Sequence, residues 1–493
     1  MKYTFLIYLL LIFSFCNAQI NITNSEIYKH IKFLSSDSLK GRFPGTAEDK
    51  IAANYILNDL KSSGCKAIGE SGFQYFTVST GITLGQNNYM NIDSFEVELG
   101  SDYIPRSYSL SGNCNSEVVF VGYGFDVKKD SLQWNDYQNI DVTGKWVLIL
   151  RDIPNTKYPN ELFLNQANDR LKALNAQNKG AAGVIFVSGY QLSGKDELTE
   201  FLLSRIPGNI DIRVIDVKRE IAEKIFSGSG FSLKEIETQI KKNNKPISIF
   251  LKTKVNVSVE IITQKSETQN IVTVIEGSDE KLKNRYIVLG AHYDHIGFGG
   301  HESGSRMEDS IAIHNGADDN ASGVAAILEI AEKLNLDSKK TKRSIVIIAF
   351  GAEEKRMVGS KYFVENQIIS TDSIDCMLNI DMIGRYNRET GMNIYGVGTT
   401  EIFSKIIDKN FKKSNLKYVT AKDSYGGSDH VSFKNIEIPV MVFNTGGHDD
   451  YHTPKDDIEY INSKKEAQIC KKIYKVILEI ANSNSNFAFL TDY

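Results

Sequence analysis

The sequence predicts an α/β protein: a three-layer α/β/α sandwich on a mainly parallel (mixed) sheet, with a β-rich module inserted into it. In the C-terminal half, near-continuous apolar runs alternate with helical patterns, which is typical of parallel strands buried on both faces. The middle of the chain has short β-rich runs separated by Gly, Asn and Asp turns. The 493 residues exceed one typical domain, so two are expected.

Composition and charge restrict the class of partner. Apolar residues make up 41% of the chain and charged residues 24%, as in ordinary globular proteins. The formal net charge of −4 provides no basic excess, so neither a nucleic acid nor an anionic membrane is an expected partner.

The N-terminus, "MKYTFLIYLLLIFSFCNAQ", has a basic start at Lys2, an apolar core and a small-residue end. This pattern predicts a signal peptide over residues 1–18, cleaved after Ala18, and hence a secreted or periplasmic protein. Lipoprotein processing at Cys16 is the alternative, but the bulky Phe15 before it is unfavourable. No later segment is long and apolar enough to predict a transmembrane helix.

Four cysteines follow this segment, and no two of them have the spacing of metal ligands. They allow three disulfide pairings, among which the sequence does not choose. Cys376 lies in the strand-like run "DCMLNID", which favours a buried free thiol.

Three segments follow the signal peptide. Residues 19–72 contain two helical patterns separated by the turn-rich "KGRFPGT". Residues 73–255 form the inserted β-rich module, with one helical stretch at "NDRLKALNAQNKG". Residues 256–493 contain the strand-like runs "RYIVLGA", "RSIVIIAFG", "CMLNID" and "IPVMVFN", and end in an amphipathic helix.

Imidazoles and carboxylates follow each of these strands. His292 and Asp294 follow the first, Glu353 and Glu354 the second, Asp381 ends the third, and His452 follows the fourth. Asp318 and Asp319 precede a helix for which Asn320 and Ser322 are capping candidates. Because ligands bind beyond the carboxyl ends of parallel strands, these side chains predict a metal site at one edge of the sheet.

The ligand types identify the metal. Imidazole and carboxylate without thiolate favour a catalytic zinc over a structural one. The candidates outnumber the three protein ligands that a single catalytic zinc takes, which indicates two zinc ions sharing a carboxylate.

Five motifs occur in a fixed order: "GAHYDH", "NGADDNASG", "FGAEE", "NIDMIGR" and "DYHTPKD". From about residue 270 to the C-terminus, the chain therefore resembles the di-zinc aminopeptidases of metallopeptidase clan MH. That clan includes leucyl aminopeptidases and relatives of glutamate carboxypeptidase II. The inserted module resembles a protease-associated (PA) domain in "YGFD", "NDYQNIDVTGKWVLIL" and "KGAAGVIFV".

The resemblance implies a role for each matching residue. His292 and Asp381 would bind one zinc ion, Glu354 and His452 would bind the other, and Asp319 would bridge the two ions. Glu353 would be the general base. Asp294 would accept the second N–H of His292, and Tyr451 would polarise the substrate carbonyl.

The remaining polar residues have weaker assignments. His295, His301, His314 and His448 have no motif role and are expected in loops, and His430, although close to a family-like stretch, is not expected to be a ligand. Asp456 is a candidate supporting residue. Arg385 is equally compatible with a contact to substrate or to a surface carboxylate.

The expected function is that of a secreted zinc metallo-aminopeptidase acting on peptides with a free N-terminus. The resemblance implies that two zinc ions activate a water, whose proton Glu353 accepts and returns to the leaving amine. The alternatives are a related zinc carboxypeptidase or deacylase, a non-catalytic binding protein of the same fold, and a glutaminyl cyclase. The intact ligand set and base favour a peptidase over the last two.

Overall fold

The computed structural model describes residues 21–69, 71–129, 132–154, 161–164, 166–191, 195–202, 210–301, 303–337, 340–424 and 426–491. The predicted signal peptide, residues 1–18, lies outside the described residues. The chain divides into two compact units, of which the first comprises Met1–Phe76, Glu267–Gly300 and Gly304–Tyr493 and the second comprises Thr77–Ser266 and His301–Ser303. None of the helices in the described ranges is long and apolar enough to cross a bilayer.

The strands, in chain order, are β1 (Lys66–Ala67), β2 (Phe73–Leu84), β3 (Tyr89–Ile92), β4 (Phe95–Val97), β5 (Tyr103–Pro105), β6 (Gly112–Val121), β7 (Asp126–Lys129), β8 (Leu132–Asn135), β9 (Trp146–Leu150), β10 (Gly183–Val187), β11 (Arg213–Val217), β12 (Ser248–Val259), β13 (Ile261–Ile275), β14 (Tyr286–His292), β15 (Ser344–Phe350), β16 (Ile374–Ile380), β17 (Met392–Tyr395), β18 (Tyr418–Thr420) and β19 (Val440–Asn444).

The α-helices are α1 (Asn24–Leu34), α2 (Ala47–Ser62), α3 (Glu161–Leu164), α4 (Asp169–Asn178), α5 (Arg219–Phe226), α6 (Leu233–Asn243), α7 (Gly323–Leu336), α8 (Val358–Glu365), α9 (Phe403–Phe411), α10 (His430–Lys434) and α11 (Ser463–Asn482).

The first unit is built on a nine-stranded sheet in the order β1-β13-β15-β14-β16-β19-β17-β18, with β2 also paired to β13. The four central strands, β15, β14, β16 and β19, are parallel to one another. Strands β13 and β17 pair antiparallel on either side of them. The predicted mainly parallel, mixed sheet is therefore confirmed.

Both faces of the central strands are buried, which is why their sequences are apolar without alternation. In β14, Leu289 belongs to the core that α1, α2, α7 and α11 cover. Its neighbour Val288 belongs to a second core, together with Phe363 of α8 and Phe433 of α10. Since successive side chains of a strand point to opposite faces, helices cover the sheet on both sides and the three-layer sandwich is confirmed.

The second unit has its own eight-stranded sheet, in the order β4-β3-β12-β6-β9-β10-β11-β5. Two apolar cores form within this unit, one of which contains the buried Trp134 and Trp146. Helix α4 lies where the helical stretch was predicted, and Asn168 caps it by accepting the N–H groups of Arg170 and Leu171.

All four cysteines after the predicted signal peptide are free thiols. Cys376 lies in β16 and is fully buried, as its sequence context predicted.

A buried ion pair holds the start of β15 against the start of β16. The Nε of Arg343 lies 2.5 Å from Asp375 Oδ2, and the two side chains are 4% and 5% exposed. Arg285 contacts the other oxygen of the same carboxylate. Asp375 is thus the counter-ion of two arginines at the amino ends of the parallel strands.

We expect Asp375→Ala to lower the free energy of unfolding by about 3–5 kcal/mol, because Arg343 would remain buried without its counter-ion. Urea unfolding followed by circular dichroism, with hydrogen exchange of the β16 amides, measures this. Glu276→Ala is the matched control: Glu276 pairs with Lys66 while 61% exposed, so its loss should cost less than about 1 kcal/mol. Equal effects of the two substitutions would contradict the prediction.

Candidate metal centre

The carboxyl ends of the four parallel strands bring the predicted ligands to one edge of the sheet. His292 is the last residue of β14, and Asp381 directly follows β16. Glu354 follows β15, and His452 lies in the loop after β19. Asp319 comes from the turn of helix that precedes α7. Five separate chain segments therefore contribute to one cluster.

The first donor group consists of His292, Asp319 and Asp381. The Nε2 of His292 lies 3.2 Å from Asp319 Oδ1 and 3.7 Å from Asp381 Oδ1. The Nδ1 of His292 donates to the main-chain carbonyl of Asp294 at 3.2 Å. This bond leaves the lone pair on Nε2, the atom that faces the two carboxylates.

The second donor group consists of His295, Asp319, Glu354 and His452. The Nε2 of His452 lies 3.0 Å from both Asp319 Oδ2 and Glu354 Oε1. The Nδ1 of His295 lies 2.9 Å from Glu354 Oε1 and 4.0 Å from Asp319 Oδ2. His452 donates its Nδ1 proton to the carbonyl of Gly304 at 2.8 Å, which again directs the lone pair on Nε2 into the group.

Zinc fits these two groups. Within each group the donor atoms lie within 4.8 Å of one another, and tetrahedral zinc with bonds of about 2.0–2.1 Å would bring its donors to roughly 3.3 Å apart. Glu354 Oε1 is buried and has no hydrogen-bond partner in the part of the chain that the structure describes. Because Asp319 directs one oxygen into each group, the donors suit two cations with one shared carboxylate.

Asp294 supports the site through its carboxylate, but its hydrogen-bond partners differ from those expected. It accepts the main-chain N–H of Glu353 at 2.9 Å and that of Glu354 at 3.2 Å. The Nδ1 of His292 is 3.8 Å from the same carboxylate, so the carbonyl of Asp294 is the closer acceptor. Burial raises the pKa of Asp294 to about 7. Its side chain thus fixes the position of the Glu353–Glu354 pair.

Glu353 and Tyr451 are neighbours of the two donor groups. Removal from water, together with the nearby carboxylates of Glu354 and Asp429, raises the pKa of Glu353 well above its usual range. The ring of Tyr451 stacks on that of His452 with 3.9 Å between ring centroids. Tyr451 and Asp381 also line a cavity of about 260 Å³. A small molecule in this cavity would contact one edge of the metal centre.

Arg42 is a supporting residue that the sequence analysis missed. Its buried guanidinium donates to the carbonyls of Tyr293 (2.7 Å), Asn315 (2.7 Å) and Gly316 (3.1 Å), and also to that of Leu34. Burial lowers its pKa to about 10, so it stays charged at neutral pH. In the sequence, Arg42 lies within the turn-rich "KGRFPGT", and a charged residue in a turn is expected to be exposed.

Asp456 fixes the loop that carries Asp319. Its carboxylate accepts the N–H of Asp319 at 2.9 Å and that of Asp318 at 3.1 Å. Arg385, for which two roles were open, contacts Asp456 at 3.2 Å and Asp450 at 2.6 Å. At the start of α7, Asn320 accepts the N–H of Gly323. Of the two capping candidates, Asn320 is therefore the one whose side chain caps.

The other histidines differ in their positions. His295, expected in a loop without a role, belongs to the second donor group. His314 is buried but makes hydrogen bonds with Ser305 and Ala312 instead. His430 lines the cavity, and burial lowers its pKa to about 4. His448 lies 3.3 Å from Asp318 Oδ2, and His301 belongs to the second unit.

Comparison with known proteins supports the sequence resemblance. Residues 270–477 match the profile of peptidase family M28, and residues 115–225 match that of the PA domain. Aminopeptidase YwaD of Bacillus subtilis is 26% identical over 309 residues, which cover 60% of this chain and 56% of the relative. The chain therefore spans just over half the length of that protein. The resemblance to clan MH peptidases with a PA domain is confirmed.

Two solved structures share the fold over nearly their whole length. An aminopeptidase from Aneurinibacillus sp. strain AM-1 has a TM-score of 0.58 at 22% identity, covering 96% of this chain and 98% of its own. BSAP, a zinc aminopeptidase from Bacillus subtilis, has a TM-score of 0.53 at 19% identity, covering 96% and 99%. At these identities the likeness establishes the fold only.

We expect Asp294→Ala to weaken zinc binding about 10–100-fold, the loss typical of a residue that positions metal ligands. Competition with a chromophoric chelator measures this. Asp279→Ala is the matched control, because Asp279 also accepts two main-chain N–H groups, those of Lys281 and Leu282, in a turn away from the cluster. Unchanged zinc affinity in Asp294→Ala would refute the positioning role.

Proposed function

We propose that this chain is a zinc-dependent metallo-aminopeptidase that removes N-terminal residues from peptides. The observation that carries the proposal is the pair of donor groups sharing Asp319, with Glu353 next to the ligand Glu354 and a cavity lined by Asp381 and Tyr451 at one edge of the cluster. The family M28 match over residues 270–477 supports it independently.

In the proposed reaction, two zinc ions would polarise the scissile carbonyl and lower the pKa of the attacking water. Glu353 accepts the proton of that water and returns it to the leaving amine, as a general base that becomes a general acid. Tyr451, which lines the cavity, would donate a hydrogen bond to the substrate carbonyl.

The acidic cluster also supports N-terminal specificity. Asp381 lines the cavity, and its carboxylate and those of Glu353 and Glu354 interact electrostatically within one acidic cluster. A protonated α-amine bound there would gain charge-assisted hydrogen bonds, whereas an acetylated N-terminus would present no positive charge. The same site would disfavour a substrate recognised by its C-terminal carboxylate.

We also propose that the protein acts outside the cytoplasm. The apolar pattern over residues 1–18 supports a signal peptide cleaved after Ala18. N-terminal sequencing of protein recovered from the culture medium or periplasm tests this proposal, and a mature chain that begins at Gln19 is the expected result.

A set of substrates separates the candidate activities. Aminoacyl-p-nitroanilides with a free amine should be cleaved, their acetylated forms should not, and a chelator should abolish cleavage until zinc is restored. Cleavage of the acetylated forms or of C-terminal residues alone would instead support a carboxypeptidase or deacylase. No chelator-sensitive hydrolysis of any substrate would support a binding protein.

We expect Glu353→Gln to lower kcat by about 10²–10⁴-fold, because the amide cannot accept the proton of the attacking water. Zinc content measured on the same sample should remain that of the unmodified protein, since Glu353 is outside both donor groups. Glu365→Gln, on the exposed surface of α8, is the control and should keep full activity. Near-normal turnover in zinc-loaded Glu353→Gln would exclude Glu353 as the base.

A further inference from the structure

His295 occupies a position that neither the motif order nor the resemblance assigns. It is three residues beyond His292, is fully buried, and is held by its main-chain N–H, which donates to the carbonyl of Arg42 at 3.4 Å. Its ring lies 5.5 Å from that of His452, at an interplanar angle of 77°. Both rings therefore face the same carboxylates from different directions.

Hydrogen bonding does not account for this placement. Neither ring nitrogen of His295 forms a hydrogen bond with any residue that the structure describes, although Nδ1 lies 2.9 Å from Glu354 Oε1. A buried polar atom without a partner is costly. The Nδ1 of His295 and the Oε1 of Glu354 are close together but poorly aligned for a hydrogen bond. Two ligands of one cation have this geometry.

We propose that His295 is a fourth protein ligand of the zinc ion that His452 and Glu354 bind. This inference rests on the two-zinc site of the proposed function. The two positions then become unequal: the second group supplies four protein donors and is closed, whereas the first group, His292, Asp319 and Asp381, supplies three and keeps an open position. Closed sites are typical of structural zinc, and open sites are typical of catalytic zinc.

The exposure of the two groups supports this division independently. The side chain of Asp381 is 16% exposed and lines the cavity. In the second group, the side chains of His295, Glu354 and His452 are 0%, 4% and 6% exposed, and none of them lines the cavity. A substrate in the cavity therefore reaches the three-donor position first, and the four-donor position lies behind it.

The division gives the two ions different tasks. The four-donor ion would hold Asp319 and Glu354 in place and thereby fix the bridging carboxylate and the neighbouring base Glu353. The three-donor ion would have the position that a substrate oxygen can occupy. The four-donor position should also bind zinc more tightly, because one more imidazole contributes to it.

Zinc content of the full chain, equilibrated with metal buffers that cover a range of free zinc concentrations, tests the inference without substrate. The unmodified protein should bind two ions in two steps. His295→Gln should weaken the tighter step by more than about 100-fold, because the loss of a ligand exceeds the roughly 10–100-fold loss typical of a supporting residue, and it should leave the weaker step in place. His314→Gln is the matched control, a buried histidine outside both groups, and should retain both steps.

Thermal unfolding separates a ligand from a structural histidine. Without zinc, His295→Gln should be as stable as the unmodified protein or more stable, because it removes a buried imidazole that lacks a hydrogen bond. Its stabilisation by added zinc should be smaller. A less stable zinc-free form with both binding steps unchanged would overturn the inference and identify His295 as an ion-pair partner of Glu354.

The outcomes also separate this inference from the proposed function. Two ions bound normally by His295→Gln would refute the fourth ligand and leave the two-zinc peptidase intact. An unmodified protein that binds no zinc would refute both. Cobalt(II) provides a spectroscopic check: one equivalent should give the intense visible absorption of a tetrahedral site in the unmodified protein, and His295→Gln should lose that absorption.

Discussion

Both donor groups depend on the carboxylate of Asp319, which directs one oxygen towards each of them. Its position is fixed by hydrogen bonds of the loop that carries it, residues 316–320, to distant parts of the chain. Asp456 accepts its N–H, and the side chain of Asn320 donates to the carbonyl of Ile380 at the end of β16. On the other side, Arg42 binds the carbonyl of Gly316. The C-terminal loop, the central sheet and the N-terminal helices therefore all converge on one side chain.

The same arrangement buries several negative charges close together at the metal centre, which costs free energy. Five acidic side chains, Asp294, Asp319, Glu353, Glu354 and Asp381, come together where water is largely excluded, and such burial disfavours their charged forms unless cations balance them. Arg42 supplies one permanent positive charge, and the imidazoles supply donors whose lone pairs suit metal. Folding of this edge of the sheet and metal binding are consequently coupled, because each lowers the free-energy cost of the other.

The sequence predicted the sheet well, because strands buried on both faces leave an unambiguous apolar pattern and their carboxyl ends must meet at one edge. The sequence also predicted that His292, Asp381 and Glu354 lie close together, because each follows or ends a strand whose carboxyl end lies at that edge. It did not predict that His295 joins them, since that depends on how the loop after β14 bends. Nor did it predict the burial of Arg42, whose partners are carbonyls and leave no trace in side-chain patterns. Nor could the sequence decide which oxygen of Asp294 accepts the second N–H of His292, because the carbonyl oxygen at 3.2 Å and the carboxylate oxygen at 3.8 Å belong to the same residue.

The contacts of Arg42 also make folding of the first unit dependent on residues far apart in the chain. Arg42 precedes the second unit in the chain, whereas three of its four acceptors, Tyr293, Asn315 and Gly316, follow that unit. Thr77–Ser266 is continuous and has its own cores, so its core contacts do not require the rest of the chain. The apolar faces of helices α1 and α2 pack against residues of β14 and α7, which follow the second unit in the chain. Folding of the first unit therefore depends on contacts between segments that the whole insert separates in sequence.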